Sequence, residues 1–564
     1  MLDFKAFLVL ACAGSSWAAV VRSALPIVDL GYVLQQATIN ETGQYYNFSN
    51  IRYGAAPVGD LRFAAPVPPT TINRTVNDGQ TANICPQAGP YWYRIMTSYL
   101  GGANITTLGS IAAQVNAAAD ALTIASVPEP DPRETEDCLF LDVMTPIDAF
   151  NGGKKLPVLV WIYGGGFTTG SKTSAGNPAS LIAKAKEDAG EGVVFVAINY
   201  RLGLFGWLPG STFAGQGGLP NAGLYDQRLA LEWIAANIGR FGGDGSRVTV
   251  LGESAGGASI MHQITAFGGA KAPFQKAIMQ SPGFSVTPAD AKQEAVYNTV
   301  LSDAQSLISA NITDVSALRA LDSKTIAALN FIVVARSNYS SFTFGPVVDG
   351  TFAPKLPGVL LEEGKFDSSV EVMTAHNSNE GIIFTSPFLD TEDEFRAGIE
   401  NQLSTATTDA IDYITDTLYP AVYNGSYSYT NVNQRATLLA AELSFTCNTR
   451  YLNTAFSNET YSYYFTVPPG LHGQDVEYTF FNGDTTTLND GSPVNAATAN
   501  LLQRYIANFA TSECADPNGP GLPYFPVYGN NATVLVIDLA AQGQLAVDGA
   551  ANGRCAWLQK GLYA

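Results

Sequence analysis

The sequence predicts an α/β domain built on a large, mostly parallel central sheet flanked by helices, with insertions around the mouth of a site. Two observations carry that prediction. Apolar strand-like runs recur at 158–163, 193–198, 247–251, 276–280 and 369–375, separated by helical stretches. Such alternation builds a parallel sheet covered on both faces. One of those runs also feeds directly into Gly252-Glu253-Ser254-Ala255-Gly256, followed by a helix-like stretch from Ala258 to Thr265. In that strand–turn–helix context, Gly-x-Ser-x-Gly is a nucleophile elbow. An apolar content of 46% with 14% charge suits one large core. A length of 564 residues would permit about three or four domains. No linker, charge run, low-complexity tract or repeat divides the chain, so residues 19–564 are expected to form a single domain.

The N-terminus reads as an address. Lys5 precedes the apolar run 6–13, and Ser16-Trp17-Ala18 offers a small-x-small cleavage site, so residues 1–18 are expected to be a signal peptide. That run is too short to span a bilayer, and no later stretch is long and apolar enough. A secreted chain without a transmembrane segment is expected. Sequons at Asn40, Asn47, Asn73, Asn104, Asn311, Asn338, Asn424, Asn458 and Asn531 fit that route. They carry little weight in a chain this rich in Asn, Ser and Thr. The net charge of −19 argues against a nucleic-acid partner and reads first as the solvated surface of an acidic secreted protein. It would also draw cationic substrates inward.

The first chemical element in chain order is the buried strand-like run 156–163 followed by Gly164-Gly165-Gly166-Phe167. Glycines let backbone N–H groups at 165 and 166 approach a substrate carbonyl, and Ala255, directly after the nucleophile, supplies a third donor to an oxyanion. No Lys-Ser/Thr follows, as a phosphate-cradling loop needs. At the elbow itself, side chains at 252 and 256 would collide with the backbone of a strained turn that exposes the Ser254 hydroxyl.

A serine hydroxyl needs a general base, and the chain has only three histidines. His262 lies eight residues past Ser254 in an apolar helical stretch and reads as a core histidine. His376 ends a buried strand. His472 sits among Pro468-Pro469-Gly470-Leu471 and Gly473, a loop suited to holding one exposed side chain. The chain order Ser, acid, His leaves room for an acid only before His472. Glu380, after the strand that ends near His376 and before Gly381, fits the orienting role best. Asp349 competes, whereas Asp475 and Glu477 lie close to His472 in sequence. Activity should fall as His472 is protonated, with an acid limb near neutral pH or below.

These motifs, with others in the same order, resemble the type-B carboxylesterases, a family that includes cholinesterases and large fungal lipases. The likeness rests on Glu136-Asp137-Cys138-Leu139, Asn199-Tyr200-Arg201-Leu202-Gly203, the elbow, Gln280-Ser281-Pro282-Gly283, Asn379-Glu380-Gly381 and Leu471-His472-Gly473. Segments 51–57, 61–63, 161–170, 221–227 and 241–244 extend it over nearly the whole chain. The resemblance implies the α/β-hydrolase fold, a triad of Ser254, Glu380 and His472, and an oxyanion hole from Gly165, Gly166 and Ala255. It further implies that Ser281 helps orient the acid. Five cysteines remain after signal removal, and most should pair in an oxidising compartment. The resemblance favours Cys85–Cys138 and Cys447–Cys555, leaving Cys514 free or paired between chains.

The loop between Cys85 and Cys138 carries Tyr91-Trp92-Tyr93, Tyr99 and an Ala-rich helical run from Ile111 to Ala125. In the family such a loop forms a lid or part of an aromatic gorge, with transient lipid-interface contact as one consequence. The alternative is a surface excursion packed on its own aromatics. Two functions follow from the whole: a serine ester hydrolase acting on small-molecule or lipid esters, or an inactive recognition protein on the same scaffold. Filled catalytic positions favour the enzyme. Neither a metal nor a cofactor is expected.

Overall fold

The computed structural model of the protein describes residues 25–564 except 286, 288, 289, 309, 484–487, 490, 491 and 541. The expected signal peptide, residues 1–18, lies outside the described residues. Among the described residues the central sheet has eleven strands. In chain order they are β1 (Thr38–Asn40), β2 (Tyr45–Arg52), β3 (Phe140–Pro146), β4 (Leu156–Ile162) and β5 (Val194–Ile198). β6 (Gly243–Glu253), β7 (Lys276–Gln280), β8 (Glu371–Asn377), β9 (Tyr461–Phe465), β10 (Thr533–Ile537) and β11 (Leu545–Val547) follow.

Their spatial order is β11-β10-β9-β8-β7-β6-β4-β5-β3-β2-β1. From β5 to β10 every pairing is parallel, and the edges are antiparallel. The strand-like runs of the sequence therefore mark five of the seven parallel strands. β4 and β5 are buried at every position, which is why they read as continuous apolar runs rather than alternating ones.

The helices that bear on the site are α1 (Tyr93–Leu100), α2 (Ile105–Asp120), α3 (Ala222–Asn237), α4 (Ala255–Ile264), α5 (Val432–Ala441) and α6 (Cys447–Ala455). α3 and α4 pack on β6, and α6 packs on β8. α2 begins six residues before the expected start and ends at Asp120. Asn104 explains the shift, because its side chain caps the helix by accepting from the Thr107 amide. α1 and α2 close over their own cluster of Ile95, Leu108 and Val115.

Among the described residues, disulfides join Cys85 to Cys138 and Cys447 to Cys555, and Cys514 is exposed and unpaired. A buried ion pair between Arg201 and Asp226 ties the end of β5 to α3. No helix among the described residues is long and apolar enough to cross a membrane.

Candidate active site

Three chain segments at the C-terminal ends of β6, β8 and β9 meet at one point. Ser254 follows β6 directly and adopts φ 54°, ψ −121°, a conformation that costs energy for any side-chain-bearing residue. The surroundings hold it there. Its N–H donates to Gln280 O at 3.0 Å, and its carbonyl accepts from Gly283 N at 3.0 Å and Ala258 N at 2.8 Å. A Cβ on Gly256 would stand 2.0 Å from Ile162 O, and one on Gly252 would stand 2.7 Å from Gly256 C. Only glycine fits at either position.

His472 lies in the loop after β9. Its Nε2 is 2.8 Å from Ser254 Oγ, and its Nδ1 is 2.5 Å from Glu380 Oε2. The loop is pinned from β8, where Asn377 Nδ2 donates to Leu471 O at 2.7 Å. Glu380 is fully buried and accepts from Asn377 N at 2.5 Å and from Ser281 Oγ at 2.6 Å. Burial alone would raise its pKa. The His472 ring and the Asn377 and Ser281 donors outweigh that and hold the carboxyl below its ordinary value.

The competing residues do other work. Asp349 caps a turn through the Thr351 and Ala353 amides and bonds Asn221 Nδ2. His262 is held in the core with Nδ1 against Ala258 O at 2.8 Å, and burial lowers its pKa to about 4. His376 is buried beside Asp548.

After β4 the chain turns through Gly165 (φ 105°) and Gly166 (φ 61°). The carbonyl of Gly165 is held by the amides of Thr168 and Thr169. Among the described contacts, the N–H groups of Gly165, Gly166 and Ala255 donate to no protein acceptor. A Cβ on Gly166 would strike the Phe342 ring at 2.3 Å. N–H groups with no protein acceptor beside the half-buried Ser254 suit a developing oxyanion.

Sequence reasoning missed Glu253. It sits buried with Oε1 3.4 Å from His472 Nε2, and that oxygen has no hydrogen-bond partner among the described residues. Burial raises its pKa to about 8; His472 opposes the rise, and Asp475 and Glu380 add to it. Asp475, bonded to Tyr463 OH and Asn377 Nδ2, is raised by burial to about 6. Burial would lower His472, yet Glu253, Glu380 and Asp475 raise it to about 9. The signal for Glu253 was present: a lone acid ending the apolar run 248–251.

Gly166, Phe167, Gly283, Phe284, Phe342 and Phe445 surround Ser254 in a tight cleft of about 40 Å³. Through Ser340, Phe344, Phe384 and Gln402 the cleft continues into a chamber of about 540 Å³ with a mixed polar and apolar lining. The disulfide-bounded loop reaches this region. Trp92 meets the Phe342 and Phe384 rings edge to face and donates from Nε1 to Ser341 O. It packs behind the cleft rather than only on its own aromatics.

A sequence profile of the Carboxylesterase family matches residues 30–556. The chain belongs to that family. Carboxylesterase patB of Penicillium expansum is 40% identical over 534 residues, covering 92% of this chain and 93% of that protein. Secreted lipase 1 of Botryotinia fuckeliana is 30% identical over 553 residues, covering 91% and 89%. The crystal structure of Aspergillus niger EstA superposes with a TM-score of 0.77 at 25% identity, covering 96% of this chain and 98% of that one. This carboxylesterase is therefore a carboxylic ester hydrolase with the α/β-hydrolase fold. Its substrates are small-molecule or lipid esters.

Proposed function

We propose that hydrolysis runs through an acyl-enzyme on Ser254, with His472 as general base and Glu380 as the acid that orients it. The hydrogen-bonded chain from Ser254 Oγ through the His472 ring to Glu380 carries this reading. Ser254 Oγ attacks the ester carbonyl carbon as His472 Nε2 takes its proton. The carbonyl oxygen becomes an oxyanion facing the Gly165, Gly166 and Ala255 amides. Collapse expels the alkoxide, which leaves with the proton from the imidazolium. Water then attacks the acyl-serine, again losing a proton to His472, and the carboxylic acid departs as Ser254 is restored. Glu380 stays ionised and fixes the tautomer with the proton on Nδ1. Ser281 positions Glu380.

Residues 19–564 act as one catalytic domain, delivered outside the cell by the leader 1–18. Relatives named as secreted lipases support that location. A cleft of about 40 Å³ opening on a mixed-polarity chamber favours a short acyl group with a compact, partly polar remainder over a long alkyl chain. Hydrolysis of p-nitrophenyl esters from acetate to palmitate, below and above each substrate's solubility limit, tests this. The expected result is a maximum kcat/KM at the short end with no jump at the solubility limit. A palmitate optimum with such a jump would overturn the short-acyl assignment in favour of a lidded lipase.

A further inference from the structure

α5 and α6 are joined by a π-helical turn, Glu442–Thr446. Such turns carry one extra residue per hydrogen-bonded ring, bring residues five apart onto one face, and recur at functional sites. Here the two residues five apart are Glu442 and Cys447. A carboxylate oxygen of Glu442 and the sulfurs of Cys447 and Cys555 all lie within 4.8 Å of one another. The sulfurs are bonded to each other, so the cluster is an anchor rather than a ligand set.

The C-terminal segment fastens that face twice. Cys555 bridges to Cys447, and Arg554 forks onto Glu442 through Nε at 2.7 Å and Nη2 at 2.5 Å. Asn552 Nδ2 and Tyr419 OH complete the shell of the same carboxylate. Directly after Cys447, Asn448 Nδ2 bridges Ser444 O and Pro282 O, tying the turn to the loop after β7.

From this fixed turn Phe445 projects into the site. Its ring centroid is 4.2 Å from that of His472, and Phe384 meets both rings at 5.2 Å and 4.9 Å. Gly283 makes room, because a Cβ there would stand 2.1 Å from the Phe445 ring. The imidazole is therefore confined between aromatic surfaces, in addition to its polar contacts with Ser254 and Glu380.

We propose that Phe445 is a positioning residue for His472, held in place by the C-terminal segment through the Glu442–Arg554 pair and the Cys447–Cys555 bridge. The proposal rests on His472 being the base. A base must keep its ring within hydrogen-bond reach of both partners, and loss of about 1 Å of placement costs on the order of a hundredfold in rate. Coupling from residues 552–555 to the catalytic ring thus needs no motion, only a rigid turn.

The test uses the full-length enzyme with a short-chain ester and four variants: Phe445→Ala, Phe445→Leu, Glu442→Gln and Ser254→Ala. Glu442→Gln lies outside the cleft and keeps the shape of the side chain; Arg554, 24% exposed, can rehydrate. Low-field proton NMR follows the His472–Glu380 hydrogen bond, since a proton in a short charge-assisted bond is strongly deshielded. Phe445→Ala should lower kcat about thirtyfold with KM changed less than about threefold, and broaden the low-field signal. Phe445→Leu should restore most of both, and Glu442→Gln should lower kcat about fivefold with partial broadening. If Phe445→Ala does not fold, Glu442→Gln decides the matter. Unchanged kcat and a sharp signal in Phe445→Ala, or in Glu442→Gln where Phe445→Ala does not fold, would overturn the proposal. Hydrolysis retained by Ser254→Ala would instead overturn the triad on which it rests.

Discussion

Glu253→Gln probes the electrostatics around the base. Glu253 Oε1 stands 3.4 Å from His472 Nε2, and both side chains are buried. At that distance a full negative charge stabilises the imidazolium by about 5 kcal/mol with an effective dielectric constant of ~20, or between about three and four pH units. That figure is a ceiling. Burial raises Glu253 to about 8, so at lower pH its carboxyl holds a proton and the pair titrates as one unit. A shift of about one unit is what we expect to remain. The sign follows from His472, which the carboxylates raise to about 9 against the effect of burial. The neutral, competent imidazole is gained as pH rises, so the acid limb of kcat/KM lies above the ordinary histidine value of ~6.5. The sequence alone predicts a limb near neutrality or below; with Glu253, Glu380 and Asp475 facing the ring, the limb is expected higher. Removing the Glu253 charge should carry it to lower pH. The assay is kcat/KM for p-nitrophenyl acetate between about pH 5 and pH 10, corrected for spontaneous hydrolysis. A wild-type limb at or below ~6.5, or a limb unmoved or raised in Glu253→Gln, would refute the reasoning.

Ser281→Ala removes a 2.6 Å bond to the Glu380 carboxylate. Hydrogen bonds to charged groups are worth about 1.5–3 kcal/mol, so steady-state kinetics should show kcat reduced about tenfold with KM nearly unchanged. Gly256→Ala forces a Cβ to 2.0 Å from Ile162 O, between β4 and α4; we expect no soluble folded enzyme, checked by circular dichroism and gel filtration. Cys85→Ala with Cys138→Ala opens a link of sequence separation 53. Loop-closure entropy sets the loss at about 4 kcal/mol, measurable by urea unfolding.

The legible parts of this protein were those where backbone demands restrict residue choice. The glycines at 252 and 256 are dictated by carbonyl and main-chain atoms within 3 Å of any added Cβ, so the elbow announces itself. Scarcity of histidine narrowed the base to His472, and chain order narrowed the acid to Glu380. The parallel strands were readable because burial on both sides makes them continuously apolar. α2 was misplaced because Asn104 as a cap and an Ala-rich body do not fix helix ends by composition. What stayed hidden depends on long-range assembly. Glu253 is separated from His472 by 219 residues in sequence, and only the fold sets it beside the imidazole. Phe445 looks like any core aromatic until the π-helical turn aims it at His472. The chamber is assembled from distant segments such as those at Trp207, Lys292, Phe344 and Gln402, and no local motif encodes its volume.

The central claim, acyl transfer to Ser254 driven by His472, is tested most directly by labelling with a serine-directed phosphonate and locating the adduct by peptide mass spectrometry. One adduct per chain is expected, on the peptide containing Ser254, with loss of hydrolysis in proportion to labelling. The label should be absent from Ser254→Ala and strongly slowed in His472→Ala. An adduct on another residue, or ester hydrolysis persisting in Ser254→Ala, would contradict it.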